Sequence, residues 1–465
     1  MATVNKSNMA IKGSVILPGV NAPLPDGAAL FADFAGSRFV MKYGTGQVKR
    51  SANLNDVLSF SRGSEATRVG LTGLVEYLGA NEPAMNYHPL TGTPLGIRTE
   101  SMANNRLVWS KEFTRQETWT PTGITLTAND VVSPDGNMTA TKIIESGVAG
   151  VARSLEAITT LDATAGKPYA FSLWIKANTA SVVQIAAQGA VSPAQFVNFD
   201  VKTGKITRQS RLVLQATMEP FRNGWYRCSL TINPTTAVPP RFTLALVNND
   251  SSADAVPVYT PVTVSSLWIW GAQAEQRDGA SSYIPTSGAV NSRAADICTT
   301  PTNADFVAAT GGTIMLTCIH PRSIQSVSGA HNSLACAAVI DNSAAGAHLR
   351  LAYRNLTSNN GQAQWATSDA AGTSQSLEIY SLSPIRDAEQ SMIFSFDKAS
   401  MTLKLFDGFN WYSRTATSLP DALNRICIGR SYIGPENWFN GYIKKLIYWP
   451  AALSETEMEE VISYR

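Results

Sequence analysis

Charge is what this sequence has little of. Asp, Glu, Lys and Arg make up 15% of its 465 residues, where an ordinary globular protein carries about 25%. The lysines and arginines are scattered, and the formal net charge is +2. No field of one sign is available to gather nucleic acid or an anionic membrane, so neither is expected as a partner. Histidine is scarcer. His88, His320, His331 and His348 lack the HxH or HExxH spacing that puts two imidazoles on one ion, and no metal is expected. Cysteine is sparse and odd in number: Cys228, Cys298, Cys318, Cys336 and Cys427 include no CxxC pair. A disulfide framework uses spaced pairs in an oxidising compartment, so these residues read as reduced, small hydrophobes. No apolar run reaches about 18 residues, which excludes a membrane-spanning helix. The opening MATVNKSNMAIKG has no apolar core of a secretory signal. Catalytic signatures are missing too. There is no G-x-S-x-G elbow, no phosphate-cradling glycine loop and no strand with carboxylates at alternate positions. The chain is therefore expected to be non-enzymatic and free of cofactors.

Ser, Thr, Asn and Gly fill the gap. Thr suits strands, and Gly, Asn and Ser suit the turns between them. In YAFSLWIKA, Phe171, Leu173 and Ile175 fall on one face, with Ser172, Trp174 and Lys176 opposite. In WYRCSLTI, Tyr226, Cys228, Leu230 and Ile232 face one way, and Arg227, Ser229 and Thr231 the other. Leu267 and Ile269 alternate with Trp268 and Trp270, and Gly271 is expected to end that run. A period of two marks strands with two distinct faces. Many short strands parted by Gly, Pro and Asn turns predict an all-β protein made of two consecutive β-sandwich, jelly-roll domains. Residues 105–296 read as the first and residues 297–465 as the second. The second contains the hairpin MIFSFDKASMTLKLFDG over 392–408. A short helix ends it, signalled by Ser454 as N-cap, Glu457 three residues on, and Met458, Val461 and Ile462 at helical spacing.

Residues 1–104 read as an irregular, strand-poor module. Pro18, Pro23 and Pro25 punctuate its start, and Pro83, Pro89 and Pro94 crowd residues 81–100. Proline at that density forbids a helix interior and a central strand, so the segment is expected to lie extended along something larger.

Three pieces of this module stand in a telling order: FSRGSEATRV (60–69), GANEPAMNYHPLTG (79–92) and GIRTESMANNRLVWSKEF (96–113). Together they resemble the amino-terminal leader of tailed-bacteriophage virion proteins, with Arg98, Glu100 and Asn105 where that leader passes into a jelly roll. NGWYRCSLTI (223–232) and LWIWGAQAE (267–275) resemble the last strands of the carbohydrate-binding-module-like jelly roll in the same modular family. The connection that runs on to Ile297 resembles its exit linker. Gly441, Ile443, Leu446, Trp449, Leu453, Ser454 and Glu457 are similar to the ending of a concanavalin A-like, laminin-G-type sandwich.

The resemblance implies a structural protein of a phage particle: a tail fibre, spike or receptor-binding component. Residues 1–104 would dock on other virion proteins, and the two sandwiches would meet a host surface glycan. It also implies a homo-oligomer, usually a trimer, although no heptad segment specifies that number. The protein would reside in the virion, made in the host cytoplasm and released by lysis. Two alternatives stay open. One is a capsid-decorating (head fibre) or baseplate protein with protein partners only. The other is a polysaccharide depolymerase whose carboxylates meet only on folding.

Aromatic side chains are the candidates for stacking on a sugar ring. Trp174, Trp225, Trp268, Trp270 and Trp449 lie in strand-like runs and read as core. Trp365, Trp411 and Trp438 sit among turn residues, with Tyr412 and Tyr432 beside two of them. Loop aromatics next to Asn, Asp and Gln suit a glycan, or pack a sandwich rim or subunit interface.

Overall fold

Two antiparallel sandwiches hold most of the strands in a computed structural model. It describes residues 24–160, 166–248, 254–302, 307, 310–319, 334–341, 348–355, 361–368, 374–379, 388–430 and 438–463. Backbone pairing alone is described for 334–337, 352–355, 361–368 and 374–379. The architecture is all-β, with one short carboxy-terminal helix at Glu455–Ser463.

The first sandwich pairs two six-stranded sheets. One runs, in spatial order, Trp119–Thr122, Ser154–Ala157, Arg241–Leu246, Val182–Gln188, Gln195–Asp200, Lys205–Gln209. The other runs Ile124–Val131, Ala140–Glu145, Ser266–Glu275, Tyr169–Ala177, Trp225–Ile232, Gln215–Pro220. Their facing sides supply one apolar cluster that includes Phe171, Leu173, Ile175, Cys228, Leu230, Leu267 and Ile269. Phe171 and Phe242 stack between the sheets at 5.1 Å. The alternation predicted for these strands is thus the division between core face and outer face. Gly271 does not end its strand, which runs on to Glu275. It sits at φ 63° where the pairing with Tyr169–Ala177 shifts register. A β-carbon there would stand 2.9 Å from the Trp174 ring, so the bulge needs glycine.

The second sandwich corrects the reading of the leader. Its larger sheet runs Val48–Ser51, Arg38–Lys42, Leu30–Asp33, Tyr442–Trp449, Gly311–Ile319, Glu389–Asp397, Thr402–Phe406, Trp411–Thr415. The first three strands come from residues expected to be irregular. Leu30 pairs with Tyr448 and Asp33 with Lys445, more than 400 positions away. Pro94–Arg98 adds to the same carboxy-terminal strand through Ile97 and Arg98, carrying the Met85–Tyr87 strand with it. Ser59–Ser61 pairs with Ile297–Thr299 at the edge of the opposite sheet. The extended, proline-rich segment does lie along something larger, and that something is the last strand of the chain.

The physical reason for the misreading is burial on both faces. Leu30 and Ala32 enter the main core with Phe34 and Phe39. Phe31 enters a second cluster with Trp449, Met458 and Ile462 beneath the helix. A four-residue strand apolar on both sides shows no alternation.

The helix begins as its signals predict. Ser454 N–H donates to Glu457 Oε2 at 2.7 Å, and Glu457 N–H donates to Ser454 Oγ at 3.3 Å. Ser454→Ala is expected to cost about 1 kcal/mol, read as a lower denaturation midpoint with faster amide exchange at residues 457–459. An unchanged midpoint and exchange rate would show that packing alone holds the helix.

Candidate functional site

The site is built on the outer face of the second jelly-roll sheet. Residues directly opposite in antiparallel strands share a face, and register sets three rows there. Trp270, Trp174, Arg227 and Glu219 form one. Gln273, Ser172, Ser229 and Thr217 form the next. Glu275, Ala170, Thr231 and Gln215 form the third. Such a face is normally solvated, yet here most of it is buried. The leader and the linker from Gln276 to Ile297 cover it. Tyr283 packs on Trp174 and Trp270 at 5.5 and 4.9 Å, and its hydroxyl meets Ser110 Oγ at 2.7 Å.

Polar residues fasten this cover. Asn105 Nδ2 donates to the carbonyls of Ala272 at 3.1 Å and Ile284 at 2.9 Å, while its Oδ1 accepts from Leu107 and Ala274 N–H. Asp296 lies 3.2 Å from Arg62 and 3.1 Å from Arg293, and accepts from Glu100 N–H at 2.8 Å. Glu100 lies 3.1 Å from Arg98 and 3.7 Å from Arg293, and accepts from Ser282 N–H at 3.0 Å. Arg62 also donates to the carbonyls of Gly79 and Glu82. All of these charged groups except Arg98 are at most 3% exposed. Burial would push the Glu100 carboxyl up, but the guanidiniums of Arg293, Arg98 and Arg277 outweigh it and hold it well below the usual range. Asp296 goes the other way: burial pushes it up, and the Glu100 charge adds to that against Arg293.

Where leader, jelly roll, linker and terminal sandwich meet, a cavity of about 250 Å³ remains. Gln215, Thr217, Glu219, Arg227 and Ser229 of the sheet form one wall. Arg98, His88 and Tyr442 stand among the groups that complete it, with Gly279 and Ala280 of the linker. Arg98 lies over the Tyr442 ring at 5.7 Å. Arg227 lies over the Trp174 ring at 4.6 Å and donates from Nη2 to Ser172 Oγ at 3.1 Å. Burial pulls the Arg227 pKa down, and the charges of Glu219 and Glu275 offset only part of that.

Of the five aromatic candidates, the side chains of Trp411, Tyr412 and Trp438 are among the described residues. Trp438 is 8% exposed, and its indole N–H donates to the Asp296 carbonyl at 2.9 Å. It is a buried part of the junction and offers no stacking face, contrary to its turn-like flanks. Trp411 opens a strand rather than a loop; it stacks on Phe406 at 4.5 Å and donates to Glu459 Oε1 at 2.9 Å. Tyr412 packs against the main core. Trp365 lies on the strand Gly361–Ser368, in register with Leu351 and Leu377, and its side chain is outside the described residues. Tyr432 is outside them altogether. Turn residues beside an indole report a nearby bend, not the direction of the ring. The cavity residues Arg227 and Ser229 were missed as a site; the signal that could have found them is the polar face that they share with Thr231 on a strand otherwise apolar. Cys228, Cys298, Cys318 and Cys427 are buried. Burial pushes Cys228 and Cys298 up, so they are poor nucleophiles. Among the described residues, no group of three or more His, Cys, Asp or Glu is placed to hold a metal ion.

No family model and no curated protein matches this chain. Solved structures give distant likenesses. The CBM40 of the Ruminococcus gnavus IT-sialidase is 14% identical over 33% of this chain and 83% of its own length, with a TM-score of 0.26. Domains LG4-5 of the mouse laminin alpha1 chain are 10% identical over 63% of this chain and 86% of their own, with a TM-score of 0.21. A SAP-like pentraxin from Limulus polyphemus is 7% identical over 34% and 71%, with a TM-score of 0.24. Scores this low say nothing about ligand or activity.

Proposed function

We propose that the protein is a non-enzymatic structural component of a tailed-bacteriophage virion, a tail fibre, spike or receptor-binding protein that binds host surface glycan. One observation carries the reading. The residues that resemble the phage leader and linker, namely Arg98, Glu100, Asn105 and the stretch that ends at Asp296 and Ile297, are those that fasten leader, jelly roll and terminal sandwich to one another. Residues that fasten the parts to one another suit a rigid appendage. Residues 1–104 dock on other virion proteins, the copies associate as a homotrimer, and the junction cavity rather than a rim of tryptophans meets the glycan.

The full chain is expected to bind host cells and extracted surface polysaccharide saturably, measured by surface plasmon resonance, and to release no reducing sugar. Presence in purified particles without polysaccharide binding would move it to the capsid-decorating or baseplate class. Steady release of reducing ends would make it a depolymerase.

A further inference from the structure

We infer that the junction cavity is a binding site for a carboxylate-bearing sugar unit, of which a uronic acid is the simplest. This names the ligand class of the glycan-binding reading and rests on it. Arg227 carries the inference. It is 8% exposed and held by Ser172 and the Trp174 ring. Its Nε is buried with no hydrogen-bond partner, and it forms no ion pair among the described residues. Glu219 and Glu275 offset the burial of this charge only in part, and holding a charge out of water with incomplete pairing is costly. The fork of a guanidinium matches a carboxylate on two N–H groups. Arg98 on the other wall shares one feature with it: its Nε is buried and unpartnered, although its Nη2 is ion-paired with Glu100.

The rest of the wall matches hydroxyl groups. Gln215, Thr217 and Ser229 offer short donors and acceptors, and Thr217 and Ser229 already share a hydroxyl contact at 2.5 Å. Glu219, opposite Arg227 in register, accepts hydroxyl protons and opposes a second negative charge. A monocarboxylate therefore fits better than a phosphate. A volume of about 250 Å³ falls just under the roughly 300–1,000 Å³ of sites for drug-sized ligands, so one sugar unit enters rather than a long chain.

Isothermal titration of the full chain with free D-glucuronate, D-glucose and inorganic phosphate tests this. Glucuronate is expected to bind at least about tenfold more tightly than glucose, as one charged hydrogen-bonded pair provides. Arg227→Gln is expected to lose that preference while the unliganded melting temperature holds or rises, since an incompletely paired buried charge is gone. Arg227→Lys keeps the charge, loses the fork, and is expected to bind several-fold more weakly. Equal affinity for glucuronate and glucose, tighter binding of phosphate, or an unaltered preference in both variants overturns the assignment. Binding of host polysaccharide by a chain that ignores glucuronate overturns the cavity assignment alone; failure of both overturns the glycan reading as well.

Discussion

A fragment of residues 300–465 is expected not to fold. Cut there, the terminal sandwich loses seven strands that it takes from elsewhere: Leu30–Asp33, Arg38–Lys42, Val48–Ser51, Ser59–Ser61, Met85–Tyr87, Pro94–Arg98 and Ile297–Thr299. Tyr442–Trp449 loses its neighbour on one whole side and becomes a long apolar edge, a template for aggregation. Leu30, Phe34, Phe39 and Met41, all at most 1% exposed, leave the core. Each such side chain contributes about 1.5–3 kcal/mol by burial. Four of them amount to roughly the whole 5–15 kcal/mol of an ordinary domain. Circular dichroism and dye binding on the fragment should report a molten or aggregated chain, and co-expression with residues 24–104 should restore a cooperative melt. A fragment that melts cooperatively by itself, at the temperature of the full chain, would falsify the woven sandwich.

Asp296→Ala is expected to destabilise the protein by about 3–5 kcal/mol, the usual result of removing one partner from a buried ion pair. The carboxylate holds two guanidiniums that are no more than 1% exposed, Arg62 and Arg293, and one backbone N–H. Its loss leaves two buried positive charges facing each other with only Glu100 between the leader and the linker. Because Arg62 belongs to the leader and Arg293 to the linker, the damage should fall on the junction. The two sandwiches are then expected to unfold in separate transitions where the unaltered chain shows one. Differential scanning calorimetry reads both quantities. A single transition lowered by less than about 1 kcal/mol, the scale of a surface pair, would mean that apolar packing rather than the ion network couples the domains.

Local alternation along the chain was sufficient for the all-β class and for the faces of Tyr169–Ala177 and Trp225–Ile232, because a strand with one apolar and one polar side repeats every two residues. The capping box was equally visible, since its partners lie three residues apart. Leu30–Asp33 was not, because it is buried on both sides and its partner is Leu446 and its neighbours, at the far end of the chain. Nor was the fate of Trp438, whose ring direction depends on where Asp296 comes to rest.

By itself, the sequence determined which side chains share a face: Arg227 with Ser229 and Thr231, away from Cys228 and Leu230. Pleated backbone geometry requires that much. Only the tertiary structure decided what that polar face meets. The cavity that Arg98 and Arg227 both line, and the ion pair of Arg62 with Asp296, join residues more than 100 positions apart, and no local periodicity encodes such a meeting. The cavity exists because several distant segments close around a face that the strand alone would have left to water.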